Sequence, residues 1–95
     1  MNNEYTYIML VNDLAELCNK ADSNLNADIL STEQKQGLVG LVLTRIQPFL
    51  VGRYNMTFQN AEEVLLKFIE IIKTEPEQFS EDVFKVYKSN TITVH

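Results

Sequence analysis

This 95-residue chain contains no Trp, one Cys, two Pro and three Gly. The turns of a β-sandwich or barrel draw heavily on Gly and Pro, so their scarcity favours a few long helices. The single cysteine, Cys18, excludes an intramolecular disulfide and a Cys-rich zinc site. A small domain without such staples is typical of a reducing compartment, and we therefore expect a cytoplasmic protein.

Basic residues are also few: eight Lys and Arg stand against thirteen Asp and Glu, for a formal net charge of −5. Without a basic run, the chain is a poor candidate for binding the phosphate backbone of nucleic acid. The longest uncharged stretch, 36–44, has nine residues, about half of what a membrane-spanning helix needs. The composition predicts a single domain over residues 1–95 that binds no nucleic acid and does not insert into a membrane.

The spacing of apolar residues predicts four amphipathic helices. In the first helix, Val11, Leu14 and Cys18 share the buried stripe, while Asp13 falls on the polar side. The predicted fold is all-α, an antiparallel four-helix bundle with a frayed C-terminal tail over residues 88–95. We place the helices near residues 4–22, 32–51, 58–74 and 77–88.

Local signals refine this prediction in the second and fourth helices. Ser31 opens a Ser-Thr-Glu-Gln sequence, which has the form of a capping box. Gly37 and Gly40 reduce helix propensity, and we interpret them as allowing a neighbouring helix to approach closely. Pro48 either kinks the second helix or marks a new helix start beside it. In the fourth helix, the alternating pattern of residues 83–86 leaves a strand open as an alternative.

Little in the sequence suits catalysis or metal binding. His95 is the last residue and Cys18 lies on an apolar stripe, so neither has a partner at a useful spacing. There is no Gly-rich phosphate loop, no Ser-His-Asp set and no paired cysteines. We expect a protein that is not an enzyme and that holds no cofactor.

Aromatic residues near the C-terminus are the best candidates for contacts with a partner protein. Phe79, Phe84 and Tyr87 lie close in sequence to Lys85 and Lys88. Large aromatic side chains carry a disproportionate share of binding energy, so we predict that these five residues anchor a partner. The alternative is that the aromatic rings close the end of the bundle.

Two segments have a residue order typical of one known family. Residues 41–46, Leu-Val-Leu-Thr-Arg-Ile, give an apolar helix with an arginine. After a break, residues 56–71 begin with Met-Thr-Phe-Gln-Asn and continue as an acidic, Leu-rich helix. Over residues 38–73 the chain resembles the pediocin-like (class IIa) bacteriocin immunity proteins.

The resemblance implies an antiparallel four-helix bundle in the cytoplasm of a Gram-positive producer, held at the inner face of the membrane by its partner. Such proteins protect the cell from a pore-forming peptide by recognising it in complex with its receptor, a mannose-type phosphotransferase permease. Specificity in the family lies in the C-terminal half, here the third and fourth helices and the tail. An alternative is a small acidic inhibitor or adaptor encoded by a phage or mobile element, because an acidic surface can occupy a nucleic-acid-binding groove.

Overall fold

A computed structural model describes residues 4–92, and every regular element in that range is helical. The all-α prediction is confirmed, although the chain forms more helices than the four expected. In chain order they are α1 Tyr7–Ala21, a 3-10 turn Ala27–Ile29, α2 Thr32–Leu43, α3 Ile46–Tyr54, α4 Phe58–Leu66, α5 Ile69–Thr74 and α6 Pro76–Ile92.

Side-chain caps define where three of these helices begin. The hydroxyl of Thr6 accepts a hydrogen bond from the amide of Met9, so α1 starts later than predicted. The predicted capping box at Ser31 is confirmed, with both of its reciprocal hydrogen bonds formed. Thr57 caps α4 by accepting from the amide of Asn60 at 3.0 Å. Each cap satisfies an amide that the first turn of a helix leaves without an intrahelical partner.

The second predicted helix, residues 32–51, is divided at Thr44 and Arg45. Both amides bond to carbonyl groups only three residues back, at 3.2 and 2.9 Å, which tightens the end of α2. Pro48 explains the position of the break, because its ring would clash with the carbonyl of Thr44 in a continuous helix. In the first turn of α3 that conflict does not arise, so Pro48 marks a new helix start.

The third predicted helix, residues 58–74, is divided at Lys67 and Phe68. Their amides again bond three residues back, at 3.2 and 3.0 Å. The turn directs the buried Phe68 ring towards the rings of Tyr5 and Tyr7, with centroids 6.3 and 6.4 Å away. The sequence has no Pro or Gly at this break. In the structure, the aromatic contacts of Phe68 occur at the same position as the break.

The C-terminal segment is one helix, and the strand alternative for residues 83–86 is wrong. Pro76 occupies the first position of α6, where its missing amide hydrogen costs nothing. The helix continues to Ile92, past the predicted end at residue 88. Residues 93–95, the rest of the predicted tail, lie outside the described residues.

Helices α1 and α6 lie against each other, and α2 packs on both; α3 contacts α4, and α5 contacts α6. The interpretation of Gly37 and Gly40 as points of close helix approach is wrong, since a Cβ at either position would meet no atom within 4 Å. The largest fully buried apolar side chains come from α1, α3 and α6, and they are Leu10, Leu14, Ile46, Leu50, Phe79, Val83 and Phe84.

Candidate functional site

The five residues predicted to bind a partner do not form one exposed surface. Phe79, Phe84 and Tyr87 are buried, and the rings of Phe84 and Tyr87 meet edge to face with centroids 5.8 Å apart. The hydroxyl of Tyr87 donates to the carbonyl oxygen of Leu25 at 3.0 Å. The three rings therefore belong to the core in this structure, which is where the alternative interpretation places them.

The two lysines of the predicted set are exposed, but their surroundings differ. Lys88 forms an ion pair with Asp28 across 2.6 Å, and this hydrogen bond holds the pKa of Asp28 below its usual range. Lys85 forms no ion pair within 4 Å among the described residues. Of the predicted residues, Lys85 is thus the one with a charge available to a partner.

Lys85 lies on a shallow groove of about 200 Å³ between α1 and α6. Its lining is mainly apolar and includes the exposed Ile8, the half-buried Val86 and the buried Val11. The carboxylate of Asp82 also reaches the groove, but it already accepts hydrogen bonds from the Tyr7 hydroxyl at 2.7 Å and from Gln78 at 2.9 Å. Among the described residues, the groove therefore combines an apolar surface with the unpaired cation of Lys85.

A buried polar cluster joins α1, α3 and the segment before α1. Asp13, predicted on the polar side of α1, is only 4% exposed, and that prediction is wrong. Its Oδ2 atom accepts hydrogen bonds from the hydroxyls of Tyr5 and Tyr54. Arg53 lies 3.9 Å from the other carboxylate oxygen and 2.6 Å from Glu16. A buried carboxylate is tolerated when such donors surround it.

The cluster changes the acidity of its tyrosines. Burial, reinforced by the hydrogen bond to Asp13, raises the pKa of Tyr54 to about 12 and raises the pKa of Tyr5 further. Both hydroxyls therefore stay protonated at neutral pH and act as donors. Since Asp13 on α1 accepts from a tyrosine in the preceding segment and from another on α3, the cluster connects these parts of the fold.

Among the α-helices of the described part of the chain, α4 and α5 contain the fewest buried residues. Ala61 is the one buried residue of α4, and α5 has none. Large exposed apolar side chains concentrate here, whereas elsewhere they occur singly on α1, the 3-10 turn and α2. The four on this segment are Phe58, Leu66, Ile69 and Ile71. A concentration of this kind is typical of an interaction surface.

Three further observations concern metal binding, membrane spans and similarity to known proteins. Within the described residues, no three His, Cys, Asp or Glu side chains come close enough to hold a metal ion. No helix in the same range has both the length and the apolar character needed to cross a membrane. Comparisons with protein-family models, with curated proteins and with solved structures give no match for this chain.

Proposed function

We propose that this protein is an immunity protein that protects its producing cell from a class IIa, pore-forming bacteriocin. In this role it binds the complex of the bacteriocin with its membrane receptor, a mannose-type phosphotransferase permease, from the cytoplasmic side. We further propose that α1, the α2–α3 pair, the α4–α5 pair and α6 act as the four arms of an antiparallel bundle, two of which are broken.

The observation that supports the proposal is the helix–break–helix pattern of the segment that resembles this family. Asn55 ends α3 in a left-handed conformation with φ 60°, and Thr57 then caps α4. The resemblance requires a break at this point, followed by an acidic helix rich in leucine. The exposed apolar side chains of α4 and α5 also suit a protein that acts by binding.

The test is expression of the chain inside a sensitive Gram-positive strain. We expect higher tolerance to a narrow set of class IIa peptides and no change in tolerance to an unrelated pore-forming peptide. The control is the Phe84→Ala variant, which we expect to accumulate at a lower level of folded protein because Phe84 is buried and its loss destabilises the fold. Unchanged tolerance to a full panel of class IIa peptides, with folded protein present in the cell, would contradict the proposal.

A pull-down from membranes separates the proposal from the inhibitor alternative. We expect the tagged protein to capture the permease in the presence of bacteriocin and to capture much less of it without the peptide. An acidic inhibitor would instead capture a soluble enzyme or nucleoprotein whether or not peptide is present. The formal net charge of −5 is the observation that favours this second candidate.

A further inference from the structure

A row of exposed side chains, here named the Leu66 patch, runs along α4 into α5. It consists of Phe58, Glu62, Leu66 and Ile69. The first three are spaced four residues apart and so lie on one face of α4. The amides of the turn at residues 67–68 bond three residues back, and side chains three residues apart align in such a turn, which brings Ile69 next to Leu66.

The apolar members of the patch are at least partly exposed. Phe58 and Leu66 are each 59% exposed and Ile69 is 37% exposed. The adjoining face of α4 supplies the contacts with the core, through the buried Ala61 and the half-buried Val64 and Leu65. The exposed parts of Phe58 and Leu66 are therefore available to a partner.

The charges around Leu66 are mostly negative. Glu62 and Glu63 precede it by one helical turn, and Glu70 follows it by one turn, so all three flank the same surface. None of the three lies within 4 Å of a basic group in the described residues. Lys67 is four residues after Glu63, a spacing that allows an ion pair, but the two described side chains form none within 4 Å. Lys67 directly follows Leu66 and is turned about a quarter of a turn away from it around the helix.

We propose that the Leu66 patch is the docking site for a cationic amphipathic helix of a partner protein. Apolar residues of that helix would cover Phe58, Leu66 and Ile69, and its Lys or Arg side chains would reach the three glutamates. A second copy of this chain is disfavoured as the occupant, because its own patch has more acidic than basic residues around it. An anionic membrane surface is disfavoured for the same reason. The inference does not depend on the immunity function.

The absence of Trp from the chain allows a probe at the patch itself. The Phe58→Trp variant keeps an aromatic ring and introduces a single indole. The ligand to titrate is a synthetic amphipathic helix of about five turns made of Leu and Lys. We expect saturable quenching or a blue shift of the indole emission, weakening as salt is added. A peptide of the same pattern with Glu in place of Lys should bind at least about tenfold more weakly.

Matched variants in the Phe58→Trp background place the binding on the patch. Leu66→Ser should weaken binding about tenfold, since it removes an apolar contact at the centre. Leu41→Ser is the control, because Leu41 on α2 is the same residue type at 54% exposure and should have no effect. Glu62→Gln with Glu63→Gln should weaken binding and reduce its salt dependence, whereas Glu33→Gln on α2 should do neither. Circular dichroism checks that each variant is folded.

Four results would overturn the proposal. The first two are equal loss of binding in Leu66→Ser and Leu41→Ser, and equal affinity for the Lys and Glu peptides. The third is tighter binding to anionic vesicles than to the Lys peptide. The fourth is self-association of the protein in sedimentation that the Leu66→Ser substitution abolishes. If the peptide binds as expected but bacteriocin tolerance does not rise in cells, the docking site stands and the immunity function fails.

Discussion

Tyrosine hydroxyls connect distant parts of this chain. The protein has four tyrosines, and each donates a hydrogen bond to a group on another element. Tyr5 and Tyr54 meet at Asp13, Tyr7 reaches Asp82 on α6, and Tyr87 reaches the loop after α1. Each ring thus adds apolar area to the core while its hydroxyl fixes the relative position of two segments.

Replacement of Asp13 tests the most buried of these junctions. Asp13→Ala leaves the hydroxyls of Tyr5 and Tyr54 without their acceptor, at a cost of about 1–3 kcal/mol for each buried group left unpaired. We expect a clear fall in the free energy of unfolding, measured by urea denaturation. Glu16→Ala is the control: it removes a half-exposed carboxylate from the same helix and should cost at most about 1 kcal/mol. Equal effects of the two variants would contradict the structural role of Asp13.

The raised pKa of Tyr54 predicts how stability responds to alkaline pH. The folded protein holds this proton up to pH about 12, whereas the unfolded chain releases it near its ordinary value of 10.0. The contribution of Tyr54 to the free energy of unfolding is therefore complete below pH 10 and is lost as the pH rises towards 12. We expect the urea midpoint to fall over this range, and to fall less steeply in Tyr54→Phe. Parallel pH profiles for the two proteins would show that Tyr54 does not contribute.

The polar contacts of Asp13 could not be read from the sequence. The stripe of Val11, Leu14 and Cys18 was predicted correctly, because helical spacing decides which apolar residues face inward. Asp13 lies beside that stripe, and one of its two tyrosine donors, Tyr54, is 41 residues away. Pairings over such distances are set by tertiary packing, and nothing in local spacing indicates them.

Among the elements, the helices were easier to predict than their interruptions. Caps at Ser31 and Thr57 and the restriction imposed by Pro48 are local effects, so the sequence displays them. The break at Lys67 and Phe68 has no local signal, and the aromatic contacts of Phe68 accompany it. The burial of Phe79, Phe84 and Tyr87 was missed for a related reason, since helical spacing shows which residues share a face but not how much of it is covered.

The glycines of α2 give a prediction for a single element. A Cβ at Gly37 or Gly40 would meet nothing within 4 Å, so Ala fits at both positions. Alanine has less backbone freedom to lose on folding, and each substitution should stabilise the protein by roughly 0.5–1 kcal/mol. Thermal unfolding followed by circular dichroism measures the increase in Tm, and the double variant should show about the sum of the two. Destabilisation by either change would restore the interpretation of close helix approach.

In the whole molecule, the buried core and the exposed surfaces are carried by different parts of the chain. Helices α1 and α6 supply most of the large buried side chains, while α4 and α5 contribute little burial and most of the large exposed ones. Substitutions on α6 that remove aromatic rings therefore act on folding first. A loss of function in such variants would carry no information about a binding surface.

Lys85 separates folding from binding at the C-terminal end of the molecule. Phe84→Ala should lower the free energy of unfolding by about 3–5 kcal/mol, a large part of the total for a small domain. Lys85→Glu should change it by no more than about 0.5 kcal/mol, because Lys85 is exposed and forms no ion pair in the described residues.

If the groove between α1 and α6 contacts the partner, Lys85→Glu should reduce bacteriocin tolerance in cells while Tm stays constant. Arg45→Glu is the matched control and should leave tolerance unchanged, because it also reverses an exposed charge that forms no ion pair in the described residues. Full tolerance in Lys85→Glu would show that Lys85 does not contribute to the binding surface. In the described residues it is the one exposed, unpaired member of the predicted set, so the Leu66 patch would then be the surface to test.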